Sequence, residues 1–383
     1  MKRRVVILTE IIAPYRIPVF NALAARDDVD PHIIFFSETD PSLRQWHVYK
    51  DEIQFSYEVL PAWRRRCGRF NLLVNRRVAA SISSAAPAAV VCGGYSYLAS
   101  WQAALWAKRQ RIPLLLWSES TAQDVRRKHV VVESMKRFFL RSCRASVAAG
   151  IASRNYLLAL GAPEISVFIA PDAVDVRFYA ERADKARINA NQIRTEHALP
   201  PRYFLYVGRL VEEKGVFDLL AAYATLDEST RSQIGLVFVG DGPGRADLAQ
   251  RASQLGSGIV KFCGWVHRER ISDFYALAEA LVLPTYSDTW GLVVNEAMAC
   301  GLPIVVSDAA GCVPDLVHEG KNGWRFGPRD IDRLSRAMWE VCDQPELAAR
   351  MGASSFELIQ SYTPQACAAG LMEAVKFACD GVA

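Results

Sequence analysis

Short apolar runs, each closed by glycine, proline or a polar turn and followed by a stretch of helical character, recur along this chain and leave few folds open. In the first half they are Val5 to Thr9, Pro31 to Ser37, Gln54 to Leu60, Ala88 to Gly94, Pro113 to Trp117, Ala145 to Ala149 and Val167 to Ala170. In the second half they are Tyr203 to Val207, Leu236 to Val239, Ile259 to Phe262, Ala280 to Leu283 and Ile304 to Val306. A continuous apolar run, rather than an alternating one, marks a strand buried on both faces. Such strands alternating with helices build a parallel sheet with right-handed crossovers. The 383 residues, 51% of them hydrophobic, exceed one ordinary core and suit two domains of roughly 170 residues each. Residues 176–200 are charged and helix-prone without a strong apolar stripe, and run into Pro200-Pro201. They are expected to be a hinge between a domain over 1–175 and one over 201–362. Between Trp46 and Arg77 the pattern is irregular and suits a flexible segment or an amphipathic helix.

The stretch Asp288 to Gly301 (D-T-W-G-L-V-V-N-E-A-M-A-C-G) places two carboxylates beside a strand end and a helix start. Gly291 opens the helix and Gly301 suits its left-handed cap. The first amides of a helix lack internal partners, so Gly291, Leu292 and Val293 can turn N–H groups and the positive dipole end toward an anion such as a diphosphate. Glu296, one turn in, would crowd a phosphate unless sugar hydroxyls lay between them. A carboxylate accepting two hydroxyls suits a ribose diol, with Asp288 on a second sugar. The alternative is helix capping by Asp288 with Glu296 on the surface.

Val207-Gly208-Arg209-Leu210-Val211-Glu212-Glu213-Lys214-Gly215 also follows a strand and opens a helix. Glycine at the strand end admits a phosphate, and Arg209 and Lys214 can grip its oxygens from two sides of the turn. A solvated turn accounts for the string equally. Gly240 within V-G-D-G-P-G and Gly264 within C-G-W-V end two further strands, and ordinary tight turns explain both.

Taken together, Asp288-x7-Glu296 and Gly208-Arg209-x4-Lys214-Gly215 resemble the E-x7-E donor signature and G-R-x4-K-G diphosphate motif of the family-4 retaining glycosyltransferases. The resemblance implies an α/β chain with two Rossmann-like parallel-sheet domains facing across a cleft, the GT-B fold. It implies a hexosyltransferase that takes sugar from a nucleoside diphosphate donor such as a UDP- or GDP-sugar. The acceptor would be a glycan or polyprenyl-linked sugar, in cell-surface polysaccharide or glycolipid synthesis. The first acid of the signature is Asp288 here rather than Glu, a shorter arm. Gly264, Trp265 and Val266 would border the nucleobase. Ala13-Pro14-Tyr15-Arg16-Ile17-Pro18 resembles the first loop of a family subgroup and would face the acceptor. Many relatives carry a histidine near the end of the Pro113–Trp117 strand, and Glu119 is the nearest polar candidate there. Thr363-Pro364 starts a helix over 363–383 that in such a fold returns to the first domain. A sugar-nucleotide epimerase of the same fold and a non-catalytic sugar-nucleotide binder are the rival functions.

No metal is expected. Asp28-Val29-Asp30 and Asp330-Ile331-Asp332 lie in polar turns far along the chain from the diphosphate motif. The nine cysteines form no C-x-x-C pair and suit buried free thiols in a reducing cytosol. The six histidines sit in no nucleophile motif, which argues against a serine or cysteine hydrolase. Residues 1–180 carry 25 Lys and Arg against 15 Asp and Glu, a net +10, while the rest is −6. The excess clusters at Arg64-Arg65-Arg66 with Arg69, at Arg76-Arg77, at Arg126-Arg127-Lys128 and along Lys136, Arg137, Arg141 and Arg144. Trp63, Phe70 and Leu72 interleave the first cluster, as on a surface lying on anionic lipid. A solvated basic face is the alternative. Nucleic acid is disfavoured, since no recognition module accompanies the charge. No apolar stretch approaches the ~18 residues of a membrane span, so a cytoplasmic protein, peripheral on the inner membrane, is expected.

Overall fold

The computed structural model describes residues 2–39, 47–67, 70–123, 130–256 and 258–381. It comprises two compact units, residues 1–173 with 363–383, and residues 174–362. In the first, β1 (Arg3–Thr9), β2 (Val29–Phe35) and β3 (Ser56–Val59) are followed by β4 (Ala62–Cys67) and β5 (Phe70–Asn75), then by β6 (Ala89–Cys92), β7 (Leu114–Ser118), β8 (Ala145–Ala148) and β9 (Val167–Ile169). Seven of them form a parallel sheet in the order β3-β2-β1-β6-β7-β8-β9. Successive side chains of a strand point to opposite faces. Accordingly Val5 and Ile7 join one core with Ile33, Leu115 and Trp117. Val6 and Leu8 join another with Ile34, Leu114 and Leu116. This double burial explains why the strands read as unbroken apolar runs.

The second unit contains β10 (Tyr203–Val207), β11 (Gly235–Val239), β12 (Val260–Phe262), β13 (Ala280–Leu283), β14 (Ile304–Ser307) and β15 (Gly323–Phe326). Their order, β12-β11-β10-β13-β14-β15, is again parallel throughout. In both sheets the order reverses beside the first strand, which opens a crevice at the carboxyl edge between β1 and β6 and between β10 and β13. That crevice is where doubly wound sheets hold ligands.

Three stretches differ from the sequence reading. Within the irregular Trp46–Arg77 segment, β4 and β5 pair antiparallel, with Trp63 opposite Val74 and Arg65 opposite Leu72. Leu73 and Asn75 are buried while Trp63, Arg65 and Leu72 stand outside, so the alternation is that of a strand with one covered face. Residues 176–200, expected as a hinge, form the helices Val176–Ile188 and Ala190–His197 within the second unit. Val176, Tyr179, Ala183 and Ala186 are buried at helical spacing, a stripe, half of it alanine, that hydropathy alone underrates. The Asp175 carboxylate accepts from Phe178 N at 3.0 Å and caps the first of them. The short edge strand β15 went unread because Arg325 interrupts its four residues.

The helix Pro364–Asp380, capped by Thr363, packs in the first unit on β8, β9 and the helix Ile17–Ala24. It seats Leu371, Met372 and Val375 in the core that holds Ile7 and Trp117. No described helix is long and apolar enough to cross a membrane. Asp28 pairs with Arg26 and Lys376, and Asp330 caps the helix Ile331–Asp343.

Gly370 sets how closely that last helix lies on the sheet, since a Cβ there would stand 2.0 Å from the Ile169 carbonyl oxygen. Alanine gains about 1 kcal/mol in helix propensity, but overpacking against backbone costs about 1–3 kcal/mol and sometimes more. Gly370→Ala is therefore expected to destabilise the protein by about 2 kcal/mol in urea denaturation; a stabilised variant would show that the helix is free to shift.

Candidate active site

The candidate residues of the second unit collect on the carboxyl edge of β10 and β13. After β10 the chain turns at Gly208, where N–H donates to the Val239 carbonyl at 3.0 Å, and Gly240 N–H donates to Gly264 O at 2.7 Å. These backbone bonds tie the ends of β10, β11 and β12 together. The Tyr206 hydroxyl donates to Arg209 O at 2.9 Å and braces the turn, leaving the Arg209 side chain exposed.

A single 3-10 turn, Glu212–Lys214, follows and ends at Gly215 with φ +67°. A Cβ at Gly215 would lie 1.9 Å from the Pro284 carbonyl oxygen just past β13, so only glycine lets the two loops meet. Tyr286 N–H donates to Glu213 O at 2.9 Å across the same junction. The approach delivers Lys214 Nζ to Asp288 Oδ2 at 2.6 Å and to Ser287 O at 3.3 Å. The two sequence motifs thus meet in space.

Asp288 is fixed at its backbone as well. Its N–H donates to Ala309 O at 3.3 Å and its carbonyl accepts from Gly311 N–H at 3.0 Å, both in the loop after β14. Its second carboxylate oxygen lies 3.4 Å from Trp290 N, the geometry of a local turn rather than a helix cap. The helix is Leu292–Ala299, entered through Gly291. Leu292 and Val293 contribute first-turn amides that have no partner inside the helix. Trp290 lies beneath this start, its indole N–H donating to buried Asn295 Oδ1 at 2.8 Å.

Glu296 is half-buried and its Oε2 accepts from the Tyr275 hydroxyl at 2.7 Å. Burial lifts its carboxyl above the ordinary carboxylate range, while the hydroxyls of Tyr275 and Tyr179 and the charge of Arg268 pull it back. Tyr275 and Tyr179 were missed by the sequence reading: the first looks like any buried helix aromatic, and the second lies in the supposed hinge. Gly264 and Val266 are half-buried and Trp265 is exposed beside His267, ring centroids 4.2 Å apart.

Glu119 belongs to a separate cluster in the first unit. It follows β7 and pairs with Arg16 from the loop after β1. The Arg16 guanidinium lies over the Trp117 ring, 4.2 Å from its centroid, with buried Asp172 at 3.6 Å. Burial opposes the charge on Arg16, but the two carboxylates outweigh it and hold the guanidinium firmly protonated. The sequence pointed to the Arg16 loop and to Glu119 separately; Asp172 was read only as part of the crossover.

Each unit has the Rossmann-like topology, and together they define a chain of the GT-B class. Solved structures agree: Anabaena HepE in complex with UDP and glucose superposes with a TM-score of 0.74 at 18% identity, covering 98% of this chain and 99% of that one. Sucrose-phosphate synthase from Thermosynechococcus elongatus gives 0.74 at 19% identity, covering 98% of both. Residues 189–357 match the model of the glycosyl transferases group 1 family. A D-inositol 3-phosphate glycosyltransferase of Streptomyces griseus is 37% identical over 168 residues, 41% of this chain and 35% of the relative. The sulfoquinovosyl transferase SQD2 of Arabidopsis thaliana is 28% identical over 240 residues, 60% and 44%. The chain is therefore matched to less than half of either relative's length.

Burial, then the charge of Glu119, pushes the Asp172 carboxyl up to about 8 against the pull of Arg16. The folded state then holds a proton that the unfolded chain releases near pH 4. The stability this provides is complete below about pH 4 and is lost as pH rises toward about 8. Asp172→Asn abolishes the dependence, so its urea midpoint relative to the parent should improve between about pH 5 and about pH 8. A difference that stays constant would mean Asp172 keeps one charge state across that range.

Proposed function

We propose that the protein is a retaining hexosyltransferase that moves sugar from a nucleoside diphosphate sugar to a hydroxyl of a glycan or lipid-linked acceptor, in cell-surface polysaccharide or glycolipid synthesis. The observation that carries this is the junction of Lys214 with Asp288 at the mouth of the β10–β13 crevice, beside the Gly291 helix start. The relatives named as glycosyltransferases and the UDP-bound fold neighbour support it.

In this reading the diphosphate lies against Arg209, Lys214 and the amides of Gly291, Leu292 and Val293. Glu296 takes the ribose hydroxyls, and Asp288 the hydroxyls of the transferred sugar. Gly208, Gly240, Gly264, Trp265 and Val266 frame the nucleoside. Reaction breaks the bond between the anomeric carbon and the diphosphate oxygen and forms one to the acceptor oxygen on the same face. The acceptor proton passes to a diphosphate oxygen. Charge building on the leaving group is met by fixed donors, which act without reorganisation. Metal independence belongs to the proposal because two side-chain cations already stand at the turn. Glu119 with Arg16 would line the acceptor side, at the crevice of the first sheet. The protein would work in the cytoplasm, at the inner face of a membrane when the acceptor is lipid-linked, with the outer face of the β4–β5 hairpin as one contact. Of the basic residues first considered, Arg69 and Arg126 to Lys128 lie outside the described residues.

Removing one donor from a developing anion costs about 2–4 kcal/mol of transition-state stabilisation. Lys214→Ala and Arg209→Ala should each lower kcat/KM by about that amount in a radiolabelled-donor assay while the melting temperature of Arg209→Ala stays put. Near-normal turnover in both would remove the diphosphate assignment.

Asp288 and Glu296 should separate in calorimetry with UDP and GDP. Glu296→Gln weakens the bare diphosphate by disturbing the ribose contact. Asp288→Asn frees Lys214 from its carboxylate partner and should leave bare diphosphate binding equal or tighter, while weakening the intact donor. Equal weakening of the bare nucleotide in both variants would place Asp288 elsewhere.

A further inference from the structure

Two neighbouring helices of the first unit carry apolar side chains left exposed among the described residues. On Leu98–Gln110, Leu98, Trp101 and Leu105 share one side, opposite buried Ala99, Ala103 and Ala107. On Val130–Arg141, Val132, Met135 and Phe138 stand outside while Phe139 and Leu140 are buried. Phe138 lies flat on Trp101, ring centroids 6.1 Å apart and planes 11° apart, which joins the stripes into one band. The exposure is large: 68% for Phe138, 50% for Met135 and for Leu105, 47% for Leu98. Exposed apolar side chains are ordinarily scattered singly, and a joined patch marks a surface that something covers.

Among the described residues of the two helices, the exposed charge beside the band is of one sign. Lys108, Arg109 and Arg111 close the first helix, and Arg137, Arg141 and Arg144 line and follow the second, all exposed. The first helix has no acidic residue. The acid of the second, Glu133, is half-buried, accepting from Lys136 at 2.8 Å and from the Tyr156 hydroxyl at 3.1 Å. Apolar side chains bordered by long cationic ones match a boundary where acyl chains meet anionic headgroups.

We propose that the outward stripes of Leu98–Gln110 and Val130–Arg141 form a docking face for an anionic lipid surface, with Phe138, Met135 and Leu105 entering the acyl boundary and Arg137, Arg141 and Lys108 on the headgroups. Strand β5 packs against the first helix, so the hairpin bearing Trp63, Arg65 and Leu72 adjoins this face. The inference rests on the reading of an enzyme that serves a lipid-linked acceptor, but it is tested by binding alone, without donor, acceptor or turnover.

The test is co-sedimentation of the full chain with phosphatidylcholine vesicles, with and without phosphatidylglycerol, over a salt series. Binding should require phosphatidylglycerol and weaken with salt. At about one tenfold step per one or two cations near the surface, Arg137→Glu with Arg141→Glu should lower partitioning at least about tenfold. Met135→Ser with Phe138→Ser should lower it about tenfold as well, with unchanged circular dichroism melting and unchanged nucleotide binding in both double variants. Three results would overturn the proposal: binding that ignores phosphatidylglycerol, binding that survives both double variants, or a dimer in sedimentation velocity that Phe138→Ser dissolves. The last would assign the face to a second copy of the chain. Loss of sugar transfer with vesicle binding intact would strike the functional reading and leave the docking face standing.

Discussion

The carbonyl of Pro284 occupies the space that Gly215 leaves empty, and the candidate donor site follows from that contact. Because the two loops touch at backbone level, Lys214 needs no long reach to meet Asp288, and its ammonium is held by two oxygens at 2.6 and 3.3 Å. Asp288 is in turn tied to the loop after β14 through Ala309 and Gly311. Three strand ends therefore converge on one ion pair. Such a site is prepared before a ligand arrives, which is the condition for electrostatic stabilisation to act without rearrangement.

Both units place carboxylates at their sheet edge, and both answer them with a cation from the loop after the first strand: Arg16 for Glu119 and Asp172, Lys214 for Asp288. The two pairs differ in balance. In the first unit two acids share one guanidinium, so one proton is retained and the net charge stays near neutral as long as Asp172 keeps it. In the second the pair is one to one.

The alternation of strand and helix was legible because both sheets are buried on both sides, which turns strands such as Leu114–Ser118 into continuous apolar runs. Where one face is open, as in β4 and β5, the arginines at 64 to 66 mask the alternation. Where packing uses small residues, as with Ala183 and Ala186, hydropathy gives no stripe and a helix passes for a linker. At the site, the residues that carry charge announced themselves through spacing: Arg209 and Lys214 around one turn, Asp288 and Glu296 with seven residues between them. Tyr275 and Tyr179 did not, since a hydroxyl on a buried ring acts only through whom it meets in space. The Lys214–Asp288 contact was invisible for the same reason, as the two lie 74 positions apart.

The return of Pro364–Asp380 to the first unit has a consequence for how the protein is made. Residues 174–362 are contiguous and hold everything their own core requires, so that unit can complete itself while synthesis continues. The first unit cannot. Until Leu371, Met372 and Val375 have left the ribosome, the face of its sheet that carries Ile7, Ile33 and Leu115 lacks part of its cover. The part translated first thus closes last, and for the whole time the second unit is being synthesised it exposes a sticky surface that a chaperone could recognise.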